Sequence, residues 1–318
     1  MAQAHGDALP LNGGPGVFTI VRHGDEVVSA TEAVRRWPGG MAPILAPLAA
    51  WAGFGANPLV MGILNATPDS FSDGGDRYSV ASAVAAGRLM LDQGADILDI
   101  GGESTRPGAV PVPAEIEQAR ILPVIEALAG QGAVISVDTR NAATMRLALA
   151  AGARIVNDVS ALAWDPAAAG VVAAAGCPVI LMHMRGTPVT MTSRATYADV
   201  TAEVMAELSA QVSAAERSGI DRAQIAIDPG FGFAKNAEQN LELMQRLPAL
   251  CGLGLPILAG ISRKSTIGML TGEAVARQRD AGSVAAGLFC LSRGARLLRV
   301  HDVAGTRQAV SVWSGLNR

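Results

Sequence analysis

Apolar runs recur along this chain at intervals of tens of residues, and each stops at a polar residue able to do chemistry. Leu59–Leu64 stops at Asn65, Ile97–Leu98 runs into Asp99, Val134–Val137 stops at Asp138, and Ile155–Val156 stops at Asn157. Val179–Met182 stops at His183 and Ile225–Ile227 at Asp228; Ile257–Ile261 leads into Ser262, Arg263 and Lys264; Leu297–Val300, interrupted by Arg299, stops at His301. Helical segments separate most of these runs: Val80–Leu91 with Ser79 as N-cap, Ala114–Leu128, Ala142–Ala151, Pro166–Ala175, Asp199–Ser218, Asn236–Leu247, Thr266–Leu270, Ser283–Ser292 and Thr306–Trp313. Glycine or proline closes several of them, a helix-stop signal. Strands alternating with helices predict βαβ units and a parallel sheet. Eight such strands predict an α/β fold of the (β/α)8 TIM-barrel type, in which the strand C-terminal ends share one pocket. The eight stop residues are therefore expected to form one ring.

Residues 1–57 break the pattern and read as an N-terminal extension that packs on a barrel spanning 58–318. Gly6–Gly16 is Gly/Pro-rich and predicted to be loose, with few buried contacts. Val17–Val21 and Glu26–Val28 flank Arg22–Asp25 as a small hairpin, and Ala30–Trp37 and Pro47–Trp51 read as short helices with Pro38–Gly40 as a breaker between them. Two connections, Ala66–Tyr78 and Gly101–Val112, are long and rich in Gly, Pro and polar groups, which marks them as functional loops.

At 318 residues and 50% hydrophobic, the chain has material for a large core. A net charge of −3 offers no bulk attraction to nucleic acid or a membrane surface. Pro43–Gly55 is apolar but far short of the roughly 20 residues that span a bilayer. The N-terminus lacks the charged, apolar and cleavage regions of a secretory signal. The cysteines, Cys177, Cys251 and Cys290, show neither a disulfide framework nor a metal spacing. These features predict a soluble cytoplasmic protein.

The strand ends carry motifs in a definite order. Asn65-Ala66-Thr67-Pro68-Asp69-Ser70-Phe71-Ser72-Asp73-Gly74-Gly75 follows the first barrel strand and Gly101-Gly102-Glu103-Ser104-Thr105-Arg106-Pro107-Gly108 the second. Asp228-Pro229-Gly230-Phe231-Gly232-Phe233 follows the sixth, Ser262-Arg263-Lys264-Ser265 the seventh, and Arg299-Val300-His301-Asp302-Val303 the eighth. Over residues 58–318 this series resembles the dihydropteroate synthase family. The resemblance implies an enzyme that joins (7,8-dihydropterin-6-yl)methyl diphosphate to 4-aminobenzoate and releases diphosphate, with Mg²⁺ as its metal. It implies a homodimer, by analogy, and sulfonamides as competitors of 4-aminobenzoate.

By the same resemblance, Asp138, Asn157 and Asp228 read the pterin edge and Lys264 its carbonyl side. The residue types suit such an edge, since a carboxylate only accepts, an amide does both, and the pterin presents donors. Thr105, Arg106, Arg299 and His301 supply cations and donors for the diphosphate, for which arginine is a natural bidentate partner. Asn65 offers an oxygen to Mg²⁺, which takes few protein ligands. The 4-aminobenzoate carboxylate is assigned to the start of the helix after Ser262, where a helix N-terminus favours anions. Arg106 and Pro107 close over it; Phe233 is a candidate to pack on its ring or else a plain core residue. Asp73 is a candidate shield of the reacting centre. Asp99 and Glu103 orient loop arginines or metal waters, or else form plain structural pairs. His183 reads as a hydrogen-bonded wall residue.

Other readings fare worse. Val21-Arg22-His23-Gly24 resembles the phosphohistidine motif of histidine phosphatases, but residues 1–57 are too few for that domain. A methyltetrahydrofolate methyltransferase would share the pterin-reading residues but has no use for a diphosphate site. A catalytically silent paralogue would be expected to have lost site residues, and here every expected position holds a competent one.

Overall fold

From Leu59 onward, strand and helix alternate around a closed barrel. The computed structural model describes residues 8–66, 80–105 and 108–317. The extension opens with two antiparallel pairs, β1 (Leu9–Pro10) with β2 (Val17–Phe18) and β3 (Ile20–His23) with β4 (Glu26–Ser29). Helices α1 (Ala30–Arg36) and α2 (Pro38–Leu45) follow. The barrel proper comprises β5 (Leu59–Asn65), α3 (Val80–Asp92), β6 (Ile97–Gly101), α4 (Ala114–Ala129), β7 (Ile135–Asp138), α5 (Ala142–Ala150), β8 (Ile155–Asp158), α6 (Ala168–Ala175) and β9 (Val179–Met182). It continues through α7 (Val200–Arg217), β10 (Ile225–Asp228), α8 (Ala237–Gln245), β11 (Ile257–Ala259), α9 (Ser265–Thr271), α10 (Asp280–Leu291), β12 (Ala295–Val300) and α11 (Val303–Leu316). The eight strands β5 to β12 pair in parallel in sequence order, and β12 closes on β5.

Strand alternation sorts the side chains into two sets. One parity, including Val60, Leu98, Val137, Val156, Leu181, Ile227 and Leu298, packs outward against helix residues such as Ile121, Met145, Val204 and Leu243. The other parity points into the barrel. At the N-terminal end it is wholly apolar: Leu59, Met61, Ile97, Ile155, Ile180, Ala226, Leu258 and Leu297 form one cluster with Trp51. Two residues further along the same strands, the same parity yields Asp99, Asn157, Asp228 and Arg299. The apolar layer is thus the floor, and the polar layer stands on it.

Trp51 plugs that floor from below. It is 2% exposed, and its indole N–H donates to the Gln224 carbonyl at 2.8 Å. Buried Arg296 of β12 donates to the carbonyls of Ala49 (2.8 Å), Phe54 (3.0 Å) and Gly55. These contacts explain one departure from the sequence reading. Pro47–Ala50 is irregular rather than helical, because a carbonyl a helix would have used inside itself faces Arg296. The helix lies earlier, and Pro38-Gly39-Gly40 starts it instead of breaking it. A proline at the first helical position forfeits an N–H that would be unsatisfied there anyway. The described part of the Gly/Pro-rich stretch, from Ala8 to Gly16, also differs from expectation, since Leu11 is 3% exposed and Asn12 N–H bonds to the Ile44 carbonyl at 2.7 Å. Expected N-cap Ser79 lies outside the described residues. A cavity of about 520 Å³ at this end, lined by Leu11, Asn12, Arg296 and Trp313 among others, includes none of the strand-end acids.

Candidate active site

Part of the ring expected from the strand ends comes together around a single cation. Arg299, on β12, reaches into the barrel; its Nε lies 2.6 Å from Asp99 Oδ2 and its Nη2 lies 2.6 Å from Asp138 Oδ2. The Asn157 amide donates to the same Asp99 oxygen at 3.0 Å. In register, Asp138 lies beside Asn157 on β8 and Gly101 on β6, and Gly101 lies beside Asn65 of β5. Asp99 is fully buried, and its Oδ1 has no hydrogen-bond partner among the described residues. Burial pushes the Asp138 carboxyl above the usual carboxylate range, against the pull of Arg299.

Asp228 stands across the pocket on β10. Its Oδ1 accepts from the Gly230 N–H at 2.7 Å. Burial raises its carboxyl as well, with Lys264 the principal opposing charge. Lys264 Nζ donates to the Phe231 carbonyl and lies 4.7 Å from the centre of the Phe233 ring. Burial brings this lysine down to about 8. The glycines of this loop are obligatory: a Cβ on Gly230, at φ +69°, would collide with the His183 carbonyl oxygen. On Gly232, at φ +79°, it would press on the Lys264 stem at 3.2 Å. The result is a buried, acceptor-rich pocket, and buried carboxylates without enough donors are costly. A flat ligand edge carrying N–H groups fits such a site.

His301, at the end of β12, is held by Ser262. The serine oxygen lies 3.0 Å from His301 Nδ1 and accepts from the His301 backbone N–H at 3.2 Å. Ser262 is therefore bonded to the imidazole and, like Asp228, is 6% exposed. Arg263 turns away and pairs with Asp280 at 2.6 and 2.8 Å. Helix α9 is only two turns long, so its macrodipole is short. Asn65 ends β5 at half burial, and Thr105 is half-buried on the second loop. Asp73, Arg106 and Pro107 lie outside the described residues.

Some partners were invisible in the sequence. Glu103 forms a buried pair with Arg140 at 2.9 and 3.2 Å and accepts from the Val112 N–H at 3.1 Å. It therefore ties the two ends of the second loop to the residue two places past Asp138. His183 is a fully buried wall residue whose Nε2 meets Glu207 at 2.9 Å and whose Nδ1 meets Lys235 Nζ at 2.9 Å. Lys235, 8% exposed, carried no periodic or motif signal beyond closing the Asp228–Phe233 stretch.

Among the described residues, no group of three or more His, Cys, Asp and Glu gathers as a metal cluster. Asn65 supplies one neutral oxygen, which fits Mg²⁺ only if other oxygens come with a ligand.

Comparison with known proteins agrees with this geometry. Residues 61–301 match the model of the family described as pterin binding enzyme. The chain is 48% identical over 264 residues to a dihydropteroate synthase of Neisseria meningitidis serogroup B, covering 81% of this chain and 93% of that one. Among solved structures, a Xanthomonas albilineans dihydropteroate synthase with 4-aminobenzoic acid superposes with a TM-score of 0.78 at 53% identity, covering 82% of this chain and 93% of that one. The same organism's enzyme in complex with 7,8-dihydropteroate gives a TM-score of 0.75 at 50% identity, over 82% and 94% of the two chains.

Proposed function

We infer the chemistry of this pocket from the premise that the chain belongs to the dihydropteroate synthases, within the pterin-binding enzyme family. It is a transferase that condenses (7,8-dihydropterin-6-yl)methyl diphosphate with 4-aminobenzoate to give 7,8-dihydropteroate and diphosphate. The bond between the methylene carbon and the diphosphate oxygen breaks, the arylamine nitrogen forms the new C–N bond, and that nitrogen loses a proton. The observation that carries the reading is the acceptor-rich ring of Asp99, Asp138, Asn157 and Asp228 around Arg299 and Lys264.

In this proposal Asp138, Asn157, Asp228 and Lys264 hold the pterin. Thr105, Arg106, Arg299 and His301 hold the diphosphate. The 4-aminobenzoate lies by Phe233, with Ser262, Arg106 and Pro107 at its carboxylate end. Asn65, diphosphate oxygens and waters would hold Mg²⁺, which when bound neutralises charge on the leaving group. The arylamine is largely unprotonated at neutral pH and needs no strong base, so catalysis is mostly positioning and charge stabilisation. Sulfonamides would compete with 4-aminobenzoate.

Three further proposals accompany this one. The buried free thiols of Cys177, Cys251 and Cys290 suit a reducing cytoplasm, and no helix among the described residues is long and apolar enough to cross a membrane. A homodimer is supported by exposed Met269 and Leu270 on α9, Phe289 on α10 and Val312 on α11. Residues 1–57 form an extension to the barrel at 58–318. The activity is tested by measuring diphosphate release from the pterin substrate: release that requires 4-aminobenzoate is expected, and release indifferent to it would overturn the reading.

A further inference from the structure

Lys235 is a buried cation that the reaction does not itself use. It follows β10 by seven residues, and its ammonium has three acceptors for three N–H groups: His183 Nδ1 at 2.9 Å, the Gly230 carbonyl at 3.1 Å and the Phe233 carbonyl at 3.0 Å. Each acceptor belongs to the wall behind the pocket. The Gly230 residue that accepts from Lys235 also donates its N–H to Asp228 Oδ1 at 2.7 Å. The Phe233 residue that accepts from Lys235 carries the ring over Lys264. His183 is fixed on its far side by Glu207 at 2.9 Å, and its backbone N–H bonds to the Asp228 carbonyl at 2.9 Å. Glu207 is in turn clasped by Arg185 at 3.0 Å.

We propose that Lys235 is a positioning residue for the pterin: it holds the Gly230–Phe233 loop against the Asp228 carboxylate and places a positive charge behind that carboxylate. The proposal rests on the assignment of Asp228 to the pterin. The charged groups that face Lys235 are Asp228 and Glu207, which favour its protonation, and Lys264 and Arg185, which oppose it. Burial outweighs them and brings Lys235 down to about 7, while burial keeps the adjacent His183 neutral and able to accept. Below about 7 the cation and all three of its hydrogen bonds are in place. Above that value one acceptor loses its donor and Asp228 loses a stabilising charge, so pterin affinity should fall as pH rises through neutrality.

The test compares steady-state kinetics of the wild type, Lys235→Met, Lys235→Arg, Asp228→Asn and the double variant Lys235→Met/Asp228→Asn across a pH series centred on neutrality. Lys235→Met should raise KM for the pterin diphosphate about tenfold with kcat near wild type, and change KM for 4-aminobenzoate by less than about twofold. It should also flatten the dependence of pterin KM on pH, and Lys235→Arg should recover part of both. In the Asp228→Asn background Lys235→Met should add little, since coupled residues are not additive. Wild-type pterin KM and pH profile in Lys235→Met, beside a raised KM in Asp228→Asn, would overturn this proposal alone. An unchanged pterin KM in Asp228→Asn would overturn the assignment of Asp228 and this proposal with it. Should Lys235→Met fail to fold, His183→Asn and His183→Leu decide. Asparagine keeps an acceptor near the Nδ1 position and should preserve the pterin KM, leucine should raise it, and equal values would overturn the proposal.

Discussion

Arg299 Nη2 lies 2.6 Å from Asp138 Oδ2, so a cation assigned to the diphosphate is bonded to a carboxylate assigned to the pterin. The two ends of the proposed substrate site are therefore linked through this pair. On the proposed assignment, a pterin offering N–H groups to Asp138 would take over part of the work Arg299 does there and free the guanidinium for a second anion.

This linkage predicts a stability effect. Arg299→Met should strand two buried carboxylates, and removing one partner of a buried pair costs about 3–5 kcal/mol. Because Arg299 is partly exposed, the lower end of that range is expected. Urea unfolding of the ligand-free protein checks it; a loss below about 1 kcal/mol would show that Asp99 and Asp138 find other partners or become protonated.

The buried lysines set a pH dependence. Folding holds Lys264 at about 8 and Lys235 at about 7, both below the ordinary value of 10.5. Between those limits the unfolded chain binds protons that the folded chain does not, so stability rises with pH there, and the penalty is fully present below the folded values. Lys264→Met should flatten part of that rise. Denaturation midpoints across the alkaline range measure it, and a variant with the wild-type slope would remove Lys264 as a cause.

The ring of strand-end residues was legible because strand parity is strict. Once Leu297 faces inward, Arg299 must as well, and the same step takes Ala226 to Asp228 and Ile155 to Asn157. The pairing of Arg299 with Asp99 and Asp138 was not legible, because it depends on barrel closure bringing β12 against β5 and so within reach of β6 and β7. Glu103 and Arg140 meet for the same reason, across two connections separated by a whole helix. Ser262 read as a ligand contact from its place after β11, and its partner His301 was not legible because it comes from the next strand. Trp51 read only as the end of a short helix, because a lone aromatic has no period that reveals its burial under the barrel floor.

Trp51 also makes the extension testable. Trp51→Ala should destabilise the protein by roughly 3–5 kcal/mol, the usual loss for a fully buried tryptophan. A chain beginning at residue 58 should lose this plug and the carbonyls that satisfy Arg296, and should be less stable and less soluble. Thermal unfolding of both proteins checks this. A 58–318 protein as stable and soluble as the full chain would show that the extension contributes nothing to the barrel.

The two substrate ends can be separated by ligand choice. His301 is fixed by Ser262 at the end of β12, and Arg299 lies on that same strand, which adjoins β5 and Asn65. Asp138 and Asn157 lie on β7 and β8. The pterin should therefore lie with its ring toward β7–β10 and its diphosphate toward β12, β5 and β6. His301→Ala should weaken the diphosphate substrate strongly and a phosphate-free pterin only slightly. Asp138→Ala should weaken both, by the roughly 1.5–3 kcal/mol of a charged hydrogen bond, or about one to two decades of affinity. Calorimetric titration with the two ligands reads both effects. Equal losses for both ligands in His301→Ala would mean the orientation is wrong, and His301 would then be a structural partner of Ser262.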